Sequence, residues 1–346
     1  MKEYVTDRDQ LYDSMRKCQK GVTWKPSVKS FILNSEERLY DMETHLKNGT
    51  WKNGKTKEVH ISYPKKRVAL SIPFRDRIYQ RSINDNALYP QITCSFIHAN
   101  AACQKGKGTD FARKLVKQYL TRYVKKNGLI GYLIQIDIHG YYQNMSHDEV
   151  EKCFREHVDY ETFQMSSEIL DTQYTGSTGY NPGSQMVQIA GISLLNDVDH
   201  YIKEKLHMEG YIRYQDDFWA VLKDKNDAEN AFHAIEKKLN EKGFELNPKK
   251  SHVTPLSKGF RFLGFDYRIT KSGKIIMTLN SDNVRHERRK LKRMVNMSKK
   301  GELSPLKIDE CYSSWKNNAK NGNSHNLLKR TDRYLEALRK DSHNEI

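Results

Sequence analysis

Two adjacent carboxylates, Asp216 and Asp217, lie inside an apolar and aromatic run over residues 211–222. The flanking residues predict two short strands, and the acidic pair falls where a tight hairpin turn would expose it. Paired acids repel each other unless a cation neutralises them, and Mg²⁺ prefers hard oxygen ligands. The stretch therefore predicts a divalent-metal site. The alternative is a solvated Asp-Asp turn in an ordinary hairpin.

A third acid, Asp137, ends an apolar stretch over residues 132–138 that predicts a buried strand. A carboxylate at the end of a central strand can face a hairpin turn in a neighbouring strand. With Asp216 and Asp217 it would form a three-acid cluster for two metal ions about 3.5–4 Å apart, the arrangement that serves phosphoryl transfer. Taken alone, Asp137 could equally cap a strand end.

The composition favours a polyanionic partner. The chain has 346 residues and a formal net charge of +16, which suits nucleic acid. A membrane surface is the alternative partner, but no apolar run approaches the roughly 20 residues that span a bilayer. The first residues lack the apolar core of a secretion signal, so we expect a cytoplasmic protein. The 20 tyrosines favour base stacking beside phosphate contacts.

The cysteines do not predict a metal site. All five are scattered, and none has the spacing of a zinc finger or of a Cys-x-x-Cys pair. We expect reduced thiols rather than a disulfide framework.

Several elements must position the acids. Residues 1–50 predict helices, with a helix start at Ser35. Further helices are predicted over residues 76–88 (ended by Pro90), 110–126, 147–156, 184–206 and 226–242, and a basic helical tail is predicted from residue 283. Hairpins are predicted at residues 59–72, with a turn at 64–66, and at residues 260–277.

Five sequence blocks, in order, resemble the bacterial reverse transcriptases. Residues 67–73 with 76–80 are similar to the fingers motifs of that family, and residues 137–144 are similar to its motif A. Tyr214–Asp217 resembles the YxDD of motif C, residues 246–251 resemble motif D, and residues 262–265 resemble the primer-grip FLGF. The resemblance extends over about residues 55–340.

The resemblance implies an α+β right-hand polymerase. Fingers with an N-terminal helical extension would occupy residues 1–130. The palm, an antiparallel sheet with helices on one face, would occupy residues 131–270 and include the motif B helix over 184–206. A basic helical thumb over residues 271–346 would grip the RNA template and the RNA–DNA hybrid by their phosphates.

The resemblance also implies a set of catalytic residues. Asp137, Asp216 and Asp217, with Ile138 beside them, would bind two Mg²⁺ ions, for which Mn²⁺ is a substitute. Lys250 of motif D would protonate the leaving pyrophosphate as a general acid. A solvated surface lysine is the competing interpretation of Lys250.

Further residues would contact substrates. Arg67, assisted by Lys66 and Lys65, would bind the dNTP triphosphate, although the two lysines could be a solvated turn. Tyr142 would be the steric gate against ribose, or a core aromatic. The primer grip would comprise Phe262, Leu263, Gly264 and Phe265, with Gly264 allowing close approach, and is otherwise an apolar strand.

Motif B departs from the common pattern of the family. Gly183 and Gln188 keep the spacing of a variant in diversity-generating retroelements and some defence enzymes, but Val187 replaces its serine. Gln188 would contact the template base or the dNTP, or be a helix-capping or core amide.

The function implied is an RNA-directed DNA polymerase in bacterial antiviral defence, with a structured non-coding RNA as a candidate partner. The alternative is a retroelement polymerase that copies a template repeat with an accessory protein. A third hypothesis is a non-catalytic RNA-binding protein on a decayed polymerase fold, against which the three intact acids argue.

Overall fold

The computed structural model describes residues 1–62 and 66–340. The architecture is mixed α+β, as predicted, with helices packed on antiparallel sheets of two, four and three strands. The turn predicted at residues 64–66 includes Pro64 and Lys65, which lie outside the described residues. Among the residues that are described, no helix has the length and apolarity needed to cross a bilayer.

The N-terminal segment is helical, as predicted. It contains α1 (Lys2–Thr6), α2 (Arg8–Cys18), α3 (Pro26–Leu33) and α4 (Ser35–Lys47), the last of which begins at the predicted Ser35. The first hairpin follows, with β1 (Lys57–Ile61) and β2 (Arg67–Ser71) paired antiparallel.

The helix after this hairpin is longer than predicted. Helix α5 (Phe74–Ile83) continues through a π turn at Asn84–Leu88 into α6 (Tyr89–Thr93). The prediction that Pro90 ends the helix is wrong, because Pro90 lies in the first turn of α6. Leu88, the residue before α6, is itself helical, so the chain stays helical through Pro90, and the hydrogen-bond pattern changes in the π turn just before the proline.

Helix α7 (Thr109–Asn127) leads into the central sheet. Its strands are β3 (Tyr132–Asp137), β4 (Tyr211–Tyr214), β5 (Asp217–Leu222) and β6 (His252–Pro255), in the spatial order β4-β5-β3-β6. All neighbouring strands are antiparallel. The end of β3, the β4–β5 turn and the segment before β6 therefore meet at one end of the sheet.

The connection between β3 and β4 is helical. It contains α8 (His147–His157), α9 (Tyr160–Gln173), α10 (Gln185–Ser193) and α11 (Asn196–His200), followed by a π turn at Tyr201–Lys205. The single helix predicted over residues 184–206 is wrong, because the chain leaves α10 at Leu194 and Leu195. Both leucines are buried, so apolar periodicity continues across the break and hides it.

The remaining elements complete the fold. Helix α12 (Lys225–Glu241) packs across β3, β5 and β6. A three-stranded sheet of β7 (Phe260–Phe262), β8 (Phe265–Ile269) and β9 (Ile275–Leu279) replaces the hairpin predicted over residues 260–277. The basic tail forms α13 (Ser281–Lys299), α14 (Pro305–Ala319) and α15 (His325–Lys340). The tail is tied to β9 by the amide of Met277, which donates to Oδ1 of Asn323 at 2.9 Å.

Candidate active site

The sheet brings the three predicted acids together at one end. Asp137, the last residue of β3, is paired in register with Asp217, the first residue of β5. Residues paired across antiparallel strands project to the same face, so the two carboxyl groups lie close together, and, after burial and the charge of Asp216, the charge of Asp137 contributes to the raised pKa of Asp217. Asp216 lies in the two-residue turn that joins β4 to β5.

The motif D segment binds Asp137 from the other side. Nζ of Lys250 lies 2.5 Å from Oδ1 of Asp137, and Nδ2 of Asn247 donates to Oδ2 at 2.9 Å. The hydroxyl of Ser251 lies 3.1 Å from both the amide nitrogen and the carbonyl oxygen of Asp137. The backbone and the carboxylate of Asp137 are therefore both fixed by three residues of one short segment.

The cluster carries an excess of negative charge. Burial, followed by the charges of Asp216 and Asp137, raises the pKa of Asp217 to about 7, against the weaker opposing effect of Lys250. Burial lowers the pKa of Lys250, but its hydrogen bond to Asp137 and the attraction of the other acids outweigh burial and raise it overall. The acids would therefore gain from a further cation.

The residues present fit divalent metal ions by their chemistry. Carboxylate and carbonyl oxygens are the donors that Mg²⁺ prefers, and Ile138 can offer only its carbonyl, because its side chain is apolar and buried. Within residues 1–62 and 66–340, no three His, Cys, Asp or Glu side chains are already arranged to hold an ion. Both oxygens of Asp137 are instead engaged by Lys250 and Asn247, so an ion that binds this carboxylate would compete with the ammonium group.

Two residues of this site were not predicted to have a role in it. Asn247 belongs to the motif D block. Its position three residues before Lys250 could have indicated that it lies in the same site. Arg213 lies in β4 and is completely buried. A guanidinium in the middle of an apolar run must have a buried partner, and this was the signal for Arg213.

Tyr142 lies close to the acids. It belongs to a 3₁₀ turn at Tyr141–Gln143, and its ring is partly buried against Gly191 of α10. Burial, followed by the nearby Cys103 and Asp216, raises the pKa of its hydroxyl. The ring is therefore near the acidic turn and is not enclosed in the core.

Gln188 is exposed on α10, while Val187 and Ile189 beside it are buried. A core amide is thereby excluded. The helix is capped by Ser184, whose hydroxyl accepts from the Met186 amide at 3.1 Å, so Gln188 is not the cap either. Gln188 lies three residues before Gly191, on the helix face that the Tyr142 ring contacts.

Two of the basic residues predicted to bind triphosphate lie at the start of β2, where Lys66 and Arg67 are both exposed. This strand is joined to the loop before α10, because the amide of Leu70 donates to the Pro182 carbonyl at 3.0 Å. A Cβ at Gly183 would overlap the Leu70 carbonyl oxygen, so this close approach requires glycine.

The predicted primer grip is the tip of a hairpin and not one continuous strand. Leu263 and Gly264 have φ angles of 46° and 82° and form a two-residue hairpin turn between the buried Phe262 and Phe265. Paired positive φ angles are typical of type I′ turns, in which glycine avoids the steric cost. No atom lies within 4 Å of the position of a Cβ at Gly264, so the turn leaves open space above it.

The basic surface predicted for the tail is present on α13. This helix buries Glu287, Leu291, Met294 and Val295. Its exposed face carries Arg285, Arg289, Lys292 and Arg293.

A comparison with known protein families shows to which family the chain belongs. No curated protein sequence matches the chain. A truncated apo telomerase from Candida tropicalis is similar in structure with a TM-score of 0.46 and 12% identity, over 64% of this chain and 54% of that chain. The chain thus spans about half the length of that structure. The family model described as reverse transcriptase (RNA-dependent DNA polymerase) matches residues 55–267, which is more than half of the chain and includes all three acids and Lys250. On that match, the chain belongs to the reverse transcriptase family.

Proposed function

We propose that this chain is an RNA-directed DNA polymerase that extends a primer by attack of its 3′-hydroxyl on the α-phosphate of a dNTP. The observation that carries the proposal is the register pair Asp137 and Asp217, with Asp216 in the adjoining turn. Two divalent ions, when bound, would activate the hydroxyl and neutralise the triphosphate.

The chain's own residues would divide the remaining work. Asp137 and Asp216 would bind the metal ions, with Asp217 and the carbonyl of Ile138 in support. Asn247 would keep Asp137 oriented by its 2.9 Å hydrogen bond. Lys250, once displaced from Asp137, would be free to give a proton to the departing pyrophosphate.

Nucleotide binding would involve residues from β2, from the turn after β3 and from α10. Arg67 would bind the triphosphate in bidentate fashion, with Lys66 as a second cation. The Tyr142 ring would exclude the ribose 2′-hydroxyl, and Gln188 would contact the template base or the dNTP. The open space above Gly264 favours approach of the primer end to the Phe262–Phe265 turn.

We assign fingers with a helical extension to residues 1–130, the palm to residues 131–270 and the thumb to residues 271–346. The exposed basic face of α13 supports a thumb that holds a template–primer hybrid by its phosphates.

For the cellular role, we propose antiviral defence with a structured RNA as template. The support for this role is that a polymerase with an atypical motif B, here with Val187 in place of the usual serine, resembles the bacterial enzymes used in antiviral defence. Sequencing of the nucleic acid that co-purifies with the protein tests it. A structured non-coding RNA with repetitive cDNA is expected, and a template repeat with adenine-directed errors would favour the retroelement role instead.

The activity itself is tested with poly(rA)/oligo(dT), Mg²⁺ and dTTP. Purified protein should extend the primer, and Asp216→Ala should lower the rate at least about 10³-fold, because one of the metal ligands is lost. Asp171→Ala, which removes an exposed carboxylate from α9, is the matched control and should retain the wild-type rate. No extension by the wild-type chain, or equal rates for Asp216→Ala and wild type, would reject the polymerase.

A further inference from the structure

The guanidinium of Arg213 lies directly beneath the acidic turn. Arg213 is the third residue of β4, is 0% exposed and precedes the Tyr214–Asp217 motif. Its charge cannot be removed by deprotonation, so burial is tolerated only with a full set of partners.

Asp199 of α11 supplies the opposite charge. Nε of Arg213 donates to Oδ1 of Asp199 at 2.8 Å, and Nη2 donates to Oδ2 at 2.7 Å. Asp199 is also 0% exposed. Its Oδ1 accepts a further hydrogen bond from the hydroxyl of Tyr211 at 2.6 Å. This bidentate pair fixes the plane of the guanidinium.

The other donors of Arg213 reach beyond this pair. Nη1 donates to the carbonyl of Gln215 at 3.0 Å, and Nη2 donates to the carbonyl of Ile192, in the last turn of α10, at 2.8 Å. The Gln215 carbonyl belongs to the peptide bond that leads into Asp216. One side chain therefore joins the acidic turn to α10 and α11.

Gln215 needs such a restraint. Its φ is 56°, in the left-handed region that non-glycine residues rarely occupy. A conformation of this kind persists only where its surroundings fix it. The contacts to Gln215 are the charge-assisted bond from Arg213 and the bond from its own Nε2 to Sγ of Cys103 at 3.2 Å.

We propose that Arg213, oriented by Asp199, is a positioning residue: it fixes the peptide between Gln215 and Asp216 and thereby sets the Asp216 carboxylate for metal binding. This proposal rests on the proposed function, in which Asp216 is a metal ligand. The alternative is a purely structural role, in which the buried ion pair only stabilises the fold. A variant that loses metal affinity but keeps the wild-type stability distinguishes positioning from this structural role.

The first test is the double variant R213M/D199N. It removes both charges together, and the asparagine oxygen can still accept from Tyr211. Because a buried ion pair can be replaced by neutral side chains with little loss of stability, we expect a melting temperature close to that of the wild type. Mn²⁺ affinity, measured by electron paramagnetic resonance, should fall about tenfold. Wild-type Mn²⁺ affinity in a folded double variant would overturn the proposal.

A second variant keeps the test decisive if the double variant does not fold. R213K retains the charge opposite Asp199, but an ammonium group lacks the planar set of donors that reaches Asp199, Gln215 and Ile192 together. We expect a folded protein with Mn²⁺ affinity reduced severalfold. Affinity within twofold of the wild type would reject the positioning role.

The thumb offers a matched control. Asp332 accepts from Tyr312 and from Lys316 at 2.8 Å each, which repeats the Tyr–Asp–cation arrangement away from the turn. K316M/D332N should leave Mn²⁺ affinity unchanged. Because Mn²⁺ binding is measured without primer extension, an inactive wild type that binds Mn²⁺ would reject the proposed function without affecting this inference.

Discussion

Nζ of Lys250 lies 2.5 Å from Oδ1 of Asp137, in the middle of the acid cluster. In the proposed function a metal ion would bind this same carboxylate, so it would compete with the ammonium group. The same lysine is the proposed proton donor to pyrophosphate. On that proposal, metal binding and release of the proton donor would be one exchange, in which an ion that takes Asp137 frees Lys250.

This exchange predicts opposite effects of one substitution on two quantities. Lys250→Ala removes the competitor for Asp137, so the Mg²⁺ concentration for half-maximal rate should fall severalfold. The same change removes the general acid, so kcat should fall by about 10²-fold. Steady-state extension rates over a Mg²⁺ titration measure both. Lys249→Ala, which changes an exposed neighbour in the same segment, should alter neither quantity; a drop in kcat without a shift in Mg²⁺ dependence would contradict the exchange.

The raised pKa of Asp217 predicts how stability depends on pH without metal. Folded Asp217 titrates at about 7, whereas the ordinary carboxyl value is 3.8. The folded chain therefore holds a proton that the unfolded chain releases between these values. For this group, the free energy of unfolding is highest below about pH 4, falls by roughly 4 kcal/mol as pH rises from about 4 to about 7, and is level above that.

Thermal unfolding at pH 5 and pH 8 covers most of this fall. Added Mg²⁺ should raise the melting temperature more at pH 8, because it neutralises the ionised cluster. Asp217→Asn should raise the metal-free melting temperature at pH 8 and reduce the response to Mg²⁺. An equal response to Mg²⁺ at both pH values in the wild type would argue against a raised pKa.

The proposed gate role of Tyr142 predicts that this residue sets the selectivity for dNTP over rNTP. Tyr142→Ala should raise rNTP incorporation by at least about tenfold relative to dNTP, because the ring no longer excludes the 2′-hydroxyl. The ratio of kcat/KM for dTTP and UTP on one template measures this. Unchanged selectivity would remove Tyr142 from the gate role.

Gly191 lies against the Tyr142 ring, so a substitution there can change the position of the ring. A Cβ there would lie 3.2 Å from Cε1 and 3.3 Å from the hydroxyl oxygen of Tyr142. Alanine favours a helix interior over glycine, so Gly191→Ala should fold well yet push the ring towards the nucleotide. We expect a higher KM for dTTP, and this effect should vanish in a Tyr142→Ala background.

The proposed contact of Arg67 with the triphosphate predicts that this residue determines the affinity for dNTP. Arg67→Ala should raise the KM for dNTP about tenfold or more with a smaller change in kcat, because a bidentate phosphate contact is lost. Lys66→Ala, at the adjacent exposed position, should have a smaller effect. Equal and small effects of both changes would indicate that the start of β2 is a solvated surface.

The acids were predictable from sequence because their signals are local. Asp137 ends an apolar strand, and Asp216 and Asp217 lie between two strands. Both patterns can be recognised in the sequence without knowledge of the tertiary fold. Lys250 was predictable by resemblance to motif D. The contact of Lys250 with Asp137 was not, because the two residues are 113 positions apart and meet only through the pairing of β3 with β6.

Other features depended on packing that the sequence does not reveal. The two leucines at the end of α10 continue an apolar pattern across a break. The sequence did not predict β6. Val253 is the one aliphatic residue in this strand, and its other residues are His252, Thr254 and Pro255. Arg213 needed a buried acid, but the choice of Asp199 follows from how α11 packs beside β4.

The backbone bond from Leu70 to Pro182 joins the strand that begins with Arg67 to the loop that begins α10. Gly183 lies directly against the same leucine, so the two segments are in contact at two neighbouring points. The proposed phosphate-binding cation and the proposed template-contacting glutamine thus lie on connected segments. We expect occupancy of the triphosphate site and contact with the template to depend on each other.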